Sequence, residues 1–480
     1  MNDPNGMVHY DGEYHLFYQY HPESMVWGPM HWGHAVSRDL VRWDHLPVAL
    51  EPDSLGYIFS GSAVVDRENT SGFGTGDDPP LVAIFTYHDP VRAEAATGDH
   101  ETQGIAYSTD RGRTWTKWAG NPVLPNRDRH ADFRDPNVFW HEETGRWVMA
   151  LSVHDRIELW GSPDLKRWSF LSEFGAGVGA QGGVWECPDL FPLVDPRTGE
   201  TRWVLILNLN PGGPQGGSGT QYFIGDFDGT SFTLDPEFER VLEEQEAVWL
   251  DHGADNYAGV TWADVPEDDG RRIFIGWMSN WAYAQQVPTN PWRSAMTVPR
   301  SLHLHHTSRG IRLRSEPVRE LNRLRGQAVR LPRLAARGLV PLTDVLPFPA
   351  TPSEVELAFQ VGPGSDVGVE LSNDRGERYR VGFRAGEGVF YSDRTTAGEN
   401  GFSDVFAAEV HEAPRLVAGD TVRMRLFLDV ASAELFADDG ATVMTEIFFP
   451  SEPFDRLAIY GEGGSATLVE GRVWPLEGIW

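Results

Sequence analysis

The feature that most restricts how this chain folds is a degenerate repeat. Ser37-Arg-Asp39-Leu-Val-Arg-Trp43, Ser108-Thr-Asp110-Arg-Gly-Arg-Thr-Trp115 and Ser162-Pro-Asp164-Leu-Lys-Arg-Trp168 share one form: Ser-x-Asp, a short turn, then tryptophan. Each follows a strand-like run, as if one hairpin were closed again and again by the same turn and a packed aromatic. Recurrence at intervals of roughly 50–70 residues predicts the blades of a β-propeller rather than a sandwich, and about 60 residues per blade makes about five blades by residue ~310. Unrelated Asp turns in a tryptophan-rich protein would look similar, and the repeat bears on architecture, not on activity.

Short β-rich runs such as Leu81-Val-Ala-Ile-Phe85, Trp147-Val-Met-Ala-Leu151 and Trp203-Val-Leu-Ile-Leu207 recur between Gly, Asp, Asn and Pro, while helical periodicity is almost absent. The texture changes near residue 315. Residues 315–324 form the best local helix candidate, with Ser315 as N-cap and Pro317 in the first turn. A proline-rich connector follows, and from residue 353 the strands alternate more strictly, as sheets with one buried face do. The predicted class is all-β: a five-bladed propeller over 1–314, a helix and linker over 315–352, and a C-terminal β-sandwich over 353–480.

Composition narrows the partners. A net charge of −30 disfavours nucleic acid and anionic membrane, both of which need basic surface. Only Lys117 and Lys166 are lysines among 40 basic residues, a bias that either a GC-rich genome or adaptation to salt would produce. No apolar run approaches the ~20 residues of a membrane span. The single cysteine, Cys187, excludes an intramolecular disulfide, and residues 1–7 carry no signal-peptide pattern, so the chain as written reads as cytoplasmic.

Three carboxylates stand out by their neighbours: Asn2-Asp3-Pro4-Asn5-Gly6, Arg134-Asp135-Pro136-Asn137 and Trp185-Glu186-Cys187-Pro188. A residue before proline is pushed toward extended geometry, which would restrict how Asp3 and Asp135 point. Any one Asp-Pro pair is commonly a strand terminator. A propeller, however, gathers the inner strands of successive blades around one axis, so three such carboxylates would meet at one end of the channel. Glycoside hydrolysis needs two carboxyl groups so placed, one protonated and one ionised.

These three segments resemble the signature motifs of glycoside hydrolase family 32, the invertase, inulinase and levanase family. The resemblance extends over nearly the whole chain, through Phe59-Ser-Gly-Ser62, the Gly/Pro-rich run from Asn210 to Thr220, Asp255-Asn-Tyr-Ala258, Gly276-Trp-Met-Ser-Asn-Trp281, and Phe427-Leu-Asp-Val430 with Asp438-Asp-Gly-Ala-Thr-Val-Met444. It implies a five-bladed propeller with a sandwich, and a retaining double displacement without metal or cofactor. In that scheme Asp3 is the nucleophile, Glu186 the general acid/base and Asp135 a transition-state stabiliser. The implied sugar-contacting set is Asn2, Gln19, Trp27, Phe59, Ser60, Arg134, Asp255 and Trp281. For Trp27 and Trp281 blade-core packing is the alternative, as assumed for Trp43, Trp115 and Trp168.

The implied substrates are fructans (levan, inulin) and sucrose, with levanase and exo-inulinase features outweighing those of dedicated invertases. A fructosyltransferase and a non-catalytic fructan-binding protein are the competing readings. Cys187 is expected to face away from the pocket, because successive strand residues alternate. His303, His305 and His306 read as a strand edge, since no complementary metal ligands follow at usual spacing. The family also implies a segment upstream of Met1, without which Asp3 would ride on a fray-prone terminus; secretion would follow if that segment held a signal peptide. Oligomeric state is open.

Overall fold

The computed structural model describes residues 1–480 apart from 77, 344 and 480. Its strands form a five-bladed β-propeller followed by a β-sandwich. Each blade is an antiparallel sheet built on four successive strands, and the fifth carries a short extra strand, Ala295–Met296. The first strand of each blade is innermost: Asn2–Tyr10, Tyr57–Val65, Arg134–His141, Val184–Val194 and Tyr257–Thr261. These five touch in a ring that closes where the first meets the last. The closure is hydrogen-bonded, with the His9 N–H donating to the Ala263 carbonyl at 2.9 Å and the Ala263 N–H to the Met7 carbonyl at 3.0 Å. The N-terminal strand is therefore held along both edges.

The repeated turn closes the third strand of a blade onto the fourth. Asp39 accepts the Val41 and Arg42 amides at 3.1 and 2.9 Å, and Asp164 accepts those of Lys166 and Arg167 at the same two distances. Leu40, Arg111 and Leu165, each directly after its Asp, adopt left-handed φ of 61°, 61° and 63°. Aspartate side chains that cap the following amides fix such turns. The fourth blade does the same with Asp228, which accepts Thr230 and Ser231 amides at 2.8 Å beside Gly229 at φ 85°. It escaped the pattern because Asp226 and Phe232 replace the serine and the tryptophan. Trp43, Trp115 and Trp168 pack, partly buried, against blade cores.

Two local expectations fail for tertiary reasons. Ser315 is no N-cap: it lies buried in the strand Gly310–Pro317, its amide bonded to the Gly440 carbonyl at 3.0 Å. Only Arg319–Leu324 coils, as a 3₁₀ turn. Pairing to a neighbouring chain segment outweighs a local cap signal. Likewise, the expected linker contains Val329–Leu331 and Leu334–Pro341, both paired with the long strand Arg456–Pro475, so sandwich strands begin well before residue 353. That 20-residue strand runs through both halves of the sandwich. Residues 456–463 pair with Ser365–Ser372 and residues 466–475 with Ser353–Val361. One ten-residue helix, Pro236–Gln245, was not anticipated; Asp235 caps it through the Glu237 and Phe238 amides. His303, His305 and His306 lie in Arg300–Thr307, where the strand pairs on one side with Gly310–Pro317.

The two domains share a core. Met7, Trp262 and Ile275 of the propeller join Phe427, Phe436 and Val443 of the sandwich through Val318, Leu321 and Leu324. Two buried arginines reinforce it. Arg300 bonds Asp251 at 2.8 Å, Glu434 at 2.7 Å and Thr445 at 2.7 Å. Arg394 bonds Asp255 at 2.5 Å and the Tyr283 hydroxyl at 2.9 Å, with Glu446 at 3.2 Å. Buried charges are tolerable only when paired, and removing one partner strands the others. Arg394→Met should therefore lower the unfolding free energy by about 3–5 kcal/mol in urea titrations. A loss below about 1 kcal/mol would show that the interface does not depend on this ion pair.

Candidate active site

Every inner strand breaks register near one end of the channel. The irregular steps fall between Asn2 and Pro4, between Ile58 and Gly61, at Asp135-Pro136 opposite Leu151, between Glu186 and Asp189, and between Tyr257 and Val260. A bulge adds a residue to one strand, bends it and re-aims a side chain. Asp3, Ser60, Asp135, Cys187 and Ala258 all sit within these steps. Asp135, Cys187 and Ala258 have φ of 64°, 45° and 52°. Asp135 thus departs from the extended geometry expected before proline. Gly6, at φ 57°, serves the first strand: a Cβ there would lie 2.6 Å from the Trp32 ring.

The bulges bring the three carboxylates together. The Cys187 amide donates to Asp135 Oδ2 at 3.0 Å, and its Sγ lies 3.6 Å from the same oxygen and 3.9 Å from Asp3 Oδ2. Cys187 therefore faces the site, contrary to strict alternation, because its left-handed φ turns it inward. Asp3 accepts from Asn2 Nδ2 at 2.8 Å and Ser60 Oγ at 3.1 Å. Glu186 Oε1 accepts from Arg134 Nε and Nη2 at 3.2 and 3.1 Å, and Oε2 from the Tyr257 hydroxyl. The Asp135 amide donates to Thr86 Oγ1 at 3.0 Å.

Like charges at this spacing resist joint ionisation. Burial, then the charge of Glu186, raises Asp3 to about 6. Asp135 rises to about 8: burial dominates, Arg134 opposes it, and Glu186 and Asp3 add to it. Groups coupled this closely titrate together, and with Asp135 raised to about 8 beside Asp3 the site holds a shared proton at neutral pH. Burial also pushes the Cys187 thiol well up, which keeps it protonated and unreactive.

The remaining expected residues divide. Gln19 pairs with Asn2 across the first hairpin and is 2% exposed, with Nε2 lacking any hydrogen-bond partner. Such a buried free donor suits a ligand hydroxyl. Trp27, 42% exposed, stands 6.1 Å from Phe59, and Asn2, Trp27 and Trp281 line one depression. Trp27 is a rim residue, not blade core; Trp281 packs on Trp277 at 4.8 Å. Asp255 is a correction. It is fully buried, and Arg394, Tyr283 and the Ile447 amide occupy its carboxylate, which ties it to the sandwich and leaves no oxygen for a sugar. Tyr257, two residues on, is the member of that motif that reaches the carboxylates. Nothing in the sequence singled out Glu101, whose carboxylate holds Arg134 from behind at 3.2 Å.

One cluster among the described residues has metal-like geometry: His88, His100 and Glu101 offer ligand atoms within 4.8 Å of one another. Glu101, however, is already committed to Arg134 and the Phe133 amide, and a guanidinium at that distance repels a cation.

Residues 1–317 match the model of the glycosyl hydrolases family 32 N-terminal domain, and residues 320–475 that of the glycosyl hydrolases family 32 C terminal. A levanase from Bacillus subtilis is 46% identical across all of this chain and 69% of its own length. An extracellular exo-inulinase from Aspergillus awamori is 37% identical across all of this chain and 93% of its own. The crystal structure of exo-inulinase from Aspergillus awamori superposes with a TM-score of 0.89 at 35% identity, covering all of this chain and 96% of that one. The β-fructofuranosidase of Schwanniomyces occidentalis, complexed with fructosyl-erythritol, gives 0.84 at 31% identity, covering all of this chain and 95% of that one.

The electrostatics predict a stability effect. The folded-state pKa of Asp135, about 8, exceeds its ordinary 3.8, so its charge opposes folding above pH 8 and ceases to do so below pH 3.8. Asp135→Asn should raise Tm at pH 8, with the advantage over the parent shrinking steadily toward pH 4. An unchanged or lower Tm at pH 8 would contradict a strained carboxylate here.

Proposed function

The chain belongs to glycosyl hydrolases family 32, and from that premise we infer a retaining β-fructosidase that releases terminal fructofuranosyl units from fructans such as levan and inulin, and from sucrose. The observation that carries the reading is the meeting of Asp3, Asp135 and Glu186 at one end of the channel in three different hydrogen-bond settings. An ionised group and a protonated group side by side are what glycoside cleavage requires.

In the first step an Asp3 oxygen attacks the anomeric carbon as the bond to the leaving oxygen breaks, and Glu186, as general acid, gives its proton to that oxygen. The product is a covalent fructosyl ester on Asp3. In the second step the Glu186 carboxylate takes a proton from water, the resulting hydroxide adds to the anomeric carbon, and the Asp3 ester bond breaks to free fructose. Asp135 accepts hydrogen bonds from sugar hydroxyls and balances the positive charge of the oxocarbenium-like transition state. Asn2 and Ser60 hold the attacking carboxylate in place. Gln19 and Arg134 present donors to the sugar, and the faces of Trp27, Phe59 and Trp281 suit its apolar patches.

Initial rates on levan, inulin and sucrose test the reading. Free fructose is the expected early product, and Asp3→Ala should lose several orders of magnitude in kcat. Near-parental activity in that variant, or oligofructose as the main product from sucrose, would overturn it. The pH profile of kcat/KM should be bell-shaped. Activity falls as pH drops through about 6, where Asp3 gains a proton, and again as it rises through about 8, where Asp135 loses the proton that the site shares at neutral pH. A rate that keeps rising above pH 9 would contradict the shared-proton scheme.

A further inference from the structure

We propose that Glu101 is a positioning residue for this reaction, a buried anion that with His88 fixes Arg134 against Glu186 and the Phe59 ring against the sugar site. The inference rests on the β-fructosidase reading above and adds to it two residues outside the motifs.

Glu101 opens the third strand of the second blade, directly paired with His88 at the end of the second strand. Its carboxylate is 1% exposed, an unusual place for a charge, and it is completely engaged. The Phe133 amide donates to Oε2 at 2.7 Å, Arg134 Nη1 to Oε1 and Oε2 at 3.2 and 3.3 Å, and His88 Nδ1 lies 3.2 Å from Oε1. Although burial alone would raise its pKa, Arg134 and these hydrogen bonds hold it down at about 2. An ionised carboxylate only accepts, so His88 Nδ1 carries the hydrogen in this contact.

The division of the guanidinium gives Glu101 its role. Arg134 directs Nη1 backward to Glu101 and to Asp132 at 2.7 Å, which leaves Nε and Nη2 for Glu186 Oε1. Two anions behind the fork fix its plane and spread its charge. Without them the whole charge would bear on the carboxyl trio, and its pull on Asp135, which already favours ionisation, would strengthen. His88 extends the same support to the substrate platform, its ring stacked on Phe59 at 4.3 Å and 11°. Among the described residues, the other titratable groups facing this unit include Asp135, Asp3 across the site, and His154, whose Nδ1 lies 2.7 Å from Asp132. His100 packs edge-on against His88.

Glu101→Gln provides the test, with pH profiles of kcat/KM on sucrose and a melting curve to confirm folding. Loss of the anion makes the site more positive, so both limbs should move toward lower pH by about one pH unit, and kcat should fall on the order of ten- to a hundredfold, the scale of losing a partner behind a site residue. Glu101→Asp keeps the charge and should restore both limbs to their parental positions. A folded Glu101→Gln enzyme with unmoved limbs, however slow, would overturn the proposal. If that variant does not fold, Glu101→Asp decides: parental limbs with lowered kcat and little change in KM support the proposal, and parental kcat overturns it. These outcomes are separate from the reading beneath, which fails only if the unmodified protein releases no fructose or Asp3→Ala retains activity.

Discussion

The double pairing of the N-terminal strand is the constraint on which the rest of the molecule depends. Residues 2–10 are the inner strand of the first blade and, through the Met7, His9 and Ala263 backbone, also the edge on which the fifth blade closes. Sheet edges are otherwise free to separate or to pair with other chains, and a closed ring removes that freedom. The same nine residues carry Asp3. Ring closure and placement of the attacking carboxylate are thus one event, and a strand with partners on both edges supports a group that must stay oriented.

Closure fixes where the strands are, and the bulges fix what they point at. A regular inner strand would alternate its side chains, and only every second one would face the channel. The register breaks in all five inner strands at one level turn neighbouring residues toward the same point. Cys187 shows the consequence: next to Glu186 in sequence, it nonetheless bridges Asp135 and Asp3. Left-handed φ at Asp135, Cys187 and Ala258 is the backbone cost of this crowding, about 1–3 kcal/mol each where non-glycine residues adopt it.

The crowding has an electrostatic counterpart. Asp3 and Asp135, buried together, hold their protons above the ordinary carboxylate range, and the cation that answers them is the Arg134 guanidinium. That cation is itself divided among Glu101, Asp132 and Glu186, so the trio is partly neutralised but not fully discharged. The sandwich contributes at a distance: Arg394 holds Tyr283 and also Asp255, two residues before Tyr257, the second hydrogen-bond donor to Glu186.

By itself the sequence determined the all-β class, the hairpin turns and the three carboxylate motifs. These are local properties: Asp39, Asp110 and Asp164 cap amides a few residues away, and the motifs are contiguous. The fourth-blade turn went unread because its cap survived while the flanking serine and tryptophan did not. What only the tertiary structure decided depends on contacts between distant segments. Ser315 became a strand residue because Gly440 offered its carbonyl, and Asp255 became an interface anchor because Arg394 reached it across 139 positions. Glu101 gained its place behind Arg134 only when the second and third blades met. Local hydrogen bonds leave a signature in neighbouring letters, and long-range ones do not.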